Sequence, residues 1–234
     1  IDRNAVRTEE SPGGWERIDT LRFSAWRAKD ADTSFLVGDL YPVGVPGEDV
    51  FVAVLRADSV AKADPREAES VEQFAEDMVR TFDGAGAGCA VLSDLEVTAE
   101  RLAPFRVIAL PYNPRVPDGV EDMLTAFAAR GGRLMAFYLV PPKLRPLLGL
   151  EGGAHVKPSR PGMFAAIRPE KGALPGAPAK TGQASWNIHS FTPAPGIGHV
   201  VADWLDDRGQ PSGHAAILGS TNGLAMTHVL LTDD

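Results

Sequence analysis

Cysteine, basic charge and long apolar runs are all scarce in this sequence of 234 residues. The single cysteine, Cys89, excludes an internal disulfide framework and any metal site built from several cysteines. Acidic residues outnumber Lys and Arg by 31 to 23, which gives a net charge of -8. Nucleic acids and anionic membranes attract clustered basic side chains, and no apolar run approaches the roughly 20 residues that span a bilayer. We therefore expect neither nucleic acid nor a membrane as a partner.

The two ends of the sequence lack features that a complete chain usually carries. The first residue is Ile1 rather than Met, and no basic segment followed by an apolar one marks a signal peptide. The closing "LLTDD" ends an apolar stretch at a point where an α/β fold usually adds a helix. We interpret the chain as a processed or excised piece of a longer protein.

The first 46 residues form a segment with its own pattern. Apolar and charged residues mix in "ERIDTLRFSAW" and "TSFLVGDLYPVG", which predicts two or three β-strands. The Pro- and Gly-rich "PVGVPGED" follows as a linker. So few strands do not close a sandwich. We therefore predict an N-terminal β segment over residues 1–46, which either docks on the next domain or ends a truncated β-domain, and a second domain over residues 47–234.

From Val50 onward, predicted strands alternate with predicted helices. The strands are "VFVAVLRA", "CAVLS", "RVIALPY" and "RLMAFYL". Between them lie the helical patterns "DPREAESVEQFAEDMVRTFDGAGAG", "TAERLAPF", which Thr98 caps, and "PDGVEDMLTAFAARGG". This alternation predicts an α/β fold: a doubly wound, flavodoxin-like and mostly parallel sheet with helices on both faces.

The pattern changes beyond Leu150. Pro and Gly are dense in an excursion at about residues 151–182, with one short strand predicted at "MFAAI". The C-terminal part is β-rich: "QASWNIHSFTPA" reads as a strand, a hairpin is centred on "DDRGQPSG", and "NGLAMTHVLL" is expected to rejoin the main sheet.

The run from Val50 to Leu150, with "LSDLEVTAERLAPFRVIALPYNPRVPDGVEDMLTAFAARGGRLMAF" at its centre, resembles the class I glutamine amidotransferase-like superfamily. It is most similar to the β-galactosidase trimerisation-type branch found inside multidomain glycoside hydrolases. The N-terminal segment, which includes Trp15 and Trp26, resembles the last strands of a galactose-binding-like carbohydrate-binding domain.

Catalytic members of that superfamily place a Cys at the turn after the fourth strand, a Gly-rich oxyanion turn after the third, and a His-x-Glu pair after the last. In this sequence the turn after the predicted fourth strand holds Phe137, Tyr138 and Leu139. The turn after the third strand is "LPYNPRVP", and no Glu lies two residues after His228. The resemblance therefore implies a module without catalytic residues. The alternative is a hydrolase with an unconventional base, either Asp58 or His228.

Ligands of open α/β sheets gather beyond the carboxyl ends of the strands. Polar and aromatic residues at these predicted ends are expected to form a pocket for hydroxyl-rich ligands. Separately, an exposed Trp186 in "SWNIH" would suit a sugar face or an interdomain contact. The alternative is that these residues have purely structural roles. Arg56 would then pair with Asp58 or Asp94 at the surface, Asp94 would cap the next turn, and the tyrosines and Trp186 would pack in the core. The candidate residues are Arg56, Asp58, Ser93, Asp94, Tyr112, Asn113, Tyr138 and Trp186.

Neither a metal nor a cofactor is expected. His189, His199, His214 and His228 lack the spacing of zinc ligands. Cys89 opens the second strand, away from the carboxyl ends, as a small buried residue. "PGIGH" is too poor in glycine for a phosphate loop.

The favoured function is a non-catalytic module of a carbohydrate-active, glycoside hydrolase-type polypeptide, with a scaffolding, oligomerisation or substrate-cleft role. The expected partners are neighbouring catalytic or carbohydrate-binding domains of a longer chain, a carbohydrate, and a second copy of the chain. If the parent acts on polysaccharides, an extracytoplasmic or secreted location is favoured.

Overall fold

The computed structural model describes residues 50–230 of the chain. The β segment predicted over residues 1–46 lies outside the described residues. The helices are α1 (Asp58–Ala63), α2 (Ala68–Gly84), α3 (Ala99–Leu102), α4 (Val120–Ala129) and α5 (Leu144–Leu147), with 3-10 turns at Pro65–Glu67 and Asp94–Glu96. The strands are β1 (Val50–Arg56), β2 (Gly88–Ser93), β3 (Val107–Leu110), β4 (Arg133–Phe137), β5 (Leu150–Val156), β6 (Ala166–Pro169), β7 (Thr181–Gly182), β8 (Ile188–Pro193), β9 (His199–Leu205), β10 (Pro211–Ser220) and β11 (Gly223–Met226).

The protein is a mixed α/β structure built on a sheet of nine strands in the order β2-β1-β3-β4-β11-β10-β9-β6-β7. The first five strands of this order are parallel, and the remaining strands continue the sheet in antiparallel fashion. Strand β11 pairs with β4, with Met226 opposite Phe137, which confirms that "NGLAMTHVLL" rejoins the main sheet. Strands β5 and β8 form a separate antiparallel pair.

The parallel strands are buried on both faces because they are apolar at every central position. In β1, Ala53 and Leu55 belong to one buried cluster, which includes side chains of α3 and α4. Val52 and Val54 belong to a second cluster, which includes side chains of α2. Alternate residues of a strand point to opposite faces, so helices cover this half of the sheet on both sides.

The helical region after β1 differs in extent from the sequence pattern. The region after β1 is divided, because Asp64 is extended (φ -136°, ψ 100°) and precedes Pro65, which together separate α1 from α2. After β4, α5 is a single helical turn. Among residues 50–230, none of the helices has the length and apolar character needed to cross a bilayer.

The C-terminal part also differs in detail. The short strand predicted at "MFAAI" begins later, as β6 (Ala166–Pro169), and pairs with β9 in the main sheet. The hairpin about "DDRGQPSG" is present as β9 and β10, with Leu205 opposite Pro211. Because β1 to β4 and β11 run in the same direction, their carboxyl ends lie at one edge of the sheet, and this edge carries the candidate site.

Candidate functional site

The bend after β4 is the most unusual backbone feature of the site. Among the non-glycine residues from 50 to 230, only Tyr138 has a positive φ, at 59°. The left-handed region costs an L-residue about 1–2 kcal/mol, so such a conformation persists only where neighbouring structure holds it. Here the Tyr138 backbone N–H donates to the carbonyl oxygen of Met226 at 2.9 Å, which fixes the bend against the end of β11.

The phenol ring of Tyr138 lies between two histidines. Its centroid is 6.1 Å from that of His189 and 6.2 Å from that of His228, both in edge-on geometry. Burial raises the pKa of Tyr138 above its ordinary value of 10.0. The phenol is therefore protonated at neutral pH, where it serves as a hydrogen-bonding group rather than as a nucleophile.

His228 follows β11 and is buried beneath aromatic rings. Its ring meets the Trp186 ring at 5.2 Å and the Trp204 ring at 6.2 Å, both nearly perpendicular. Burial lowers the pKa of His228, so the imidazole is neutral at pH 7. Nδ1 lies 2.8 Å from the carbonyl oxygen of Val229, which assigns the proton to Nδ1 and leaves Nε2 as an acceptor.

Trp186 is held at the surface by a tight local turn. The Ser185 hydroxyl accepts a hydrogen bond from the N–H of Asn187 at 3.2 Å and donates to the carbonyl oxygen of the same residue. Ser185 and Asn187, the residues on either side of Trp186, are thus bonded to each other, and the Trp186 side chain between them is 62% exposed. The structure therefore places Trp186 at the surface, as the hypothesis of an exposed aromatic residue requires, rather than in the core.

Tyr112, in the turn after β3, contacts α2 and the preceding 3-10 turn. Its hydroxyl donates to Oε2 of Glu67 at 3.1 Å, and its ring lies 5.5 Å from that of Phe74. Burial and the neighbouring Glu67 carboxylate raise the pKa of Tyr112 to about 12. This phenol is likewise neutral over the physiological range.

These side chains enclose a pocket of about 180 Å³ at the carboxyl edge of the sheet. Its walls come from the start of α2, the turns after β3 and β4, the approach to β8 and the segment after β11. The lining residues are Ser70, Phe74, Tyr112, Tyr138, Trp186, Asn187, His228 and Val229. Three of the sequence-predicted candidates, Tyr112, Tyr138 and Trp186, thus meet in one pocket.

Two further candidates, Arg56 and Asp58, form an ion pair at the end of β1. Arg56 Nε lies 2.7 Å from Asp58 Oδ1, and its Nη1 lies 3.5 Å from Glu72 Oε1. Both side chains are partly exposed, so the pair contributes little to stability. This arrangement matches the surface-pair interpretation of the two residues.

Asp94 and Ser93 have local structural roles. The buried Asp94 carboxylate accepts from the backbone N–H of Ser59 at 2.9 Å and from the Ser59 hydroxyl, which ties the start of α1 to the end of β2. Burial raises the pKa of Asp94, and the Ser59 hydrogen bonds oppose the shift. The Ser93 hydroxyl accepts from the N–H of Leu95 at 3.3 Å and caps the following 3-10 turn.

Asn113 is fully buried beyond β3. Neither of its amide atoms has a hydrogen-bond partner within the described part of the chain. At 0% exposure, the side chain does not present its amide to a ligand in an open pocket. Cys89 lies at the amino end of β2, where burial raises the pKa of its thiol to about 11.

The sequence pattern does not single out Ser70 and Phe74 as site residues. Phe74 has the spacing of a core-facing helix stripe, whereas the structure shows that α2 begins next to the strand ends and turns Phe74 toward the pocket. The sequence does contain one indication that these two residues lie near the site. The chain leaves β1 at the carboxyl edge of the sheet, so the first turns of the helix that follows lie near that edge.

No protein-family model matches the sequence, and no curated protein matches it. Solved structures do share its fold. A β-galactosidase from Rahnella sp. R3 aligns with a TM-score of 0.57 and 17% identity over 76% of this chain. A β-galactosidase from Bacillus circulans sp. alkalophilus aligns with a TM-score of 0.52 and 14% identity, also over 76% of this chain.

The chain spans only 28% of the length of each of these β-galactosidases. A ThuA-like protein from Bacteroides uniformis ATCC 8492 is matched over most of its length. It aligns with a TM-score of 0.54 and 14% identity, over 81% of this chain and 86% of that chain. At these identities the likeness concerns the fold alone, which this chain shares with part of the β-galactosidases and with the ThuA-like protein.

Proposed function

We propose that this chain is a non-catalytic, glutamine amidotransferase-like module of a carbohydrate-active polypeptide. One observation carries the proposal: the strained bend after β4, where catalytic amidotransferases hold their nucleophile, is occupied by Tyr138 at φ 59°. The backbone at this bend has the left-handed conformation that would expose a nucleophile, but Tyr138 carries a phenol whose pKa is raised by burial. A neutral phenol does not replace a thiolate in attack on an amide.

The fold supports the amidotransferase-like part of the proposal. The parallel strands follow the order β2-β1-β3-β4-β11, which is the order of flavodoxin-like sheets with β11 as the fifth strand. Helices pack on both faces of this half, as in doubly wound folds. The single-turn α5 begins at Leu144, six residues beyond Tyr138, so the segment that follows the bend does not direct the N-terminus of a long helix at it.

The carbohydrate-active part rests on the shared fold with β-galactosidases, of which this chain corresponds to a little more than a quarter. A module of this size would contact neighbouring domains of a longer chain, contribute to oligomerisation, or line a substrate cleft. The partners proposed are those domains, a carbohydrate and a second copy of the chain. If the parent acts on polysaccharides, the corresponding location is extracytoplasmic or secreted.

The alternative of a hydrolase with an unconventional base has less support. Asp58 is paired with Arg56 at 2.7 Å, and Nδ1 of His228 lies 2.8 Å from the carbonyl oxygen of Val229, to which it donates. A catalytic histidine needs a partner that stabilises its charged form, whereas burial here favours the neutral form of His228.

Assays of the full chain for ammonia release from glutamine and for nitrophenol release from nitrophenyl glycosides test this proposal. We expect no turnover above the buffer rate. Turnover that is lost in Asp58→Asn or His228→Asn, while circular dichroism shows the fold intact, would overturn it. The Asp64→Asn variant, which alters an ion pair with Arg66 away from the pocket, is the matched control.

A further inference from the structure

The pocket beside Tyr138 has mostly aromatic walls. Phe74, Tyr112, Tyr138 and Trp186 come from four separate parts of the chain and line the same space. Flat apolar surfaces of this kind bury the non-polar faces of a ring-shaped ligand. The Tyr112 hydroxyl already donates to Glu67, which leaves the Tyr138 hydroxyl and the Trp186 N–H as polar contacts. Aromatic walls with a few polar groups are typical of small-molecule sites.

The polar groups of the pocket are neutral. Ser70 provides a hydroxyl, Asn187 an amide, and His228 an imidazole whose Nε2 is an acceptor. Each side chain that lines the pocket is uncharged at pH 7. A buried charge requires a compensating charge, so these walls suit a neutral ligand whose hydroxyl groups both donate and accept.

The size of the pocket limits the ligand to about one ring. The pocket has a volume of about 180 Å³. That space is too small for most drug-sized ligands, whose pockets start at about 300 Å³. A single ring with polar edges and apolar faces fits this description.

We infer that this pocket binds one pyranose ring of a neutral sugar, with an apolar face of the ring on Trp186 and hydroxyl groups hydrogen-bonded to Ser70 and Asn187. The inference rests on the proposed function, because it takes the Tyr138 bend to lack a reacting atom. Trp186 is 62% exposed, and its ring packs edge-on against the buried ring of His228 at 5.2 Å, so the ring is positioned before the ligand arrives. Little side-chain freedom is then lost on binding.

Ligand-observed saturation-transfer NMR on the full chain tests the inference. The sequence has four Trp, so intrinsic fluorescence would not report on Trp186 alone. The probes are the methyl pyranosides of galactose, glucose and fucose, and tetramethylammonium chloride as a cationic probe for an aromatic cage. The variants are Trp186→Ala, Ser70→Ala and Ile197→Ala; Ile197 is an apolar residue 54% exposed outside this pocket and serves as the matched control.

We expect at least one pyranoside to bind with millimolar or better affinity. Trp186→Ala should weaken this binding about tenfold, as expected for the loss of a stacked aromatic ring, and Ile197→Ala should leave it unchanged. Ser70→Ala should weaken it several-fold, through the loss of one hydrogen bond.

Absence of saturation transfer to all three pyranosides, or equal binding by Trp186→Ala and the parent, would overturn the inference. Binding of tetramethylammonium alone would overturn it too and identify a cation site instead. Hydrolysis of nitrophenyl glycosides would overturn the proposed function, which separates the two failures.

Discussion

The ring of Tyr138 meets the imidazole of His228 edge-on, with 6.2 Å between centroids and 67° between planes. The two residues follow β4 and β11, which are neighbouring parallel strands. Burial raises the pKa of Tyr138 and lowers that of His228, so both rings are neutral at pH 7 and they contact each other by packing.

The left-handed conformation of Tyr138 predicts an unusual order of substitution effects. Glycine adopts positive φ without strain, whereas alanine retains the Cβ penalty. We therefore expect Tyr138→Gly to be more stable than Tyr138→Ala by about 1 kcal/mol in urea unfolding. At Tyr112, where φ is not positive, the order should reverse, with Gly about 0.5–1 kcal/mol worse than Ala. If Tyr138→Ala were as stable as Tyr138→Gly, or more stable, the result would argue against strain at the bend.

Burial of His228 predicts a loss of stability in mild acid. Its pKa is lower in the folded than in the unfolded chain, so the unfolded state binds the proton first as the pH falls. The loss begins near the unfolded value of about 6.5 and ends at the lowered folded pKa, with a slope of at most about 1.4 kcal/mol per pH unit. His189 adds to this effect, because burial lowers its pKa as well.

Urea unfolding between about pH 7.5 and 5.5 measures this effect. The His228→Gln variant should lose stability less steeply than the parent over this range. His199 is exposed and provides the control, so His199→Gln is expected to follow the parent curve. A parent curve that is flat, or a slope unchanged by His228→Gln, would contradict the prediction.

The Cys89 thiol should react slowly with Ellman's reagent in the native protein. A rise in pKa from 9.0 to about 11 lowers the thiolate fraction at pH 8 by roughly a hundredfold, and only the thiolate attacks. Unfolding in guanidinium chloride removes the burial and should restore the rate of a free cysteine. Rapid labelling of the folded chain would show that the amino end of β2 is open to solvent.

Gly223 allows β11 to approach β4 closely. A Cβ at this position would lie 1.9 Å from the carbonyl oxygen of Leu134, and the backbone φ is 149°. The clash is with backbone, so we expect Gly223→Ala to destabilise the protein by about 3 kcal/mol or more. Gly209, with φ 75° and open space where a Cβ would lie, is the control and should lose only about 1 kcal/mol. Equal losses in thermal or urea unfolding would contradict this strand pairing.

Much of the α/β half is predictable because its signals are local. Apolar runs indicate β1 to β4, and Thr98 is confirmed as the cap of α3, where its hydroxyl accepts from the N–H of Arg101 at 3.2 Å. The break between α1 and α2 is less evident in the sequence, although Pro65 lies at it, because the helical periodicity of the region extends across the break.

The site is less predictable because it depends on contacts between distant segments. Strand ends place Tyr112 and Tyr138 at one edge, but sequence spacing does not reveal that Phe74 and His228 line the same pocket. Position along a strand also does not distinguish a side chain that faces a ligand from one that is enclosed. Asn113, fully buried next to the half-buried Tyr112, illustrates that limit.

The place of β11 in the sheet has a consequence for how the chain folds. This strand lies between β4 and β10, although it comes after both in the chain. Until residues 223–226 leave the ribosome, the parallel and antiparallel halves cannot pair across the centre, and each exposes an open edge. Completion of the sheet is thus a late, long-range event, and a nascent chain halted before Gly223 would be prone to aggregation and dependent on chaperones.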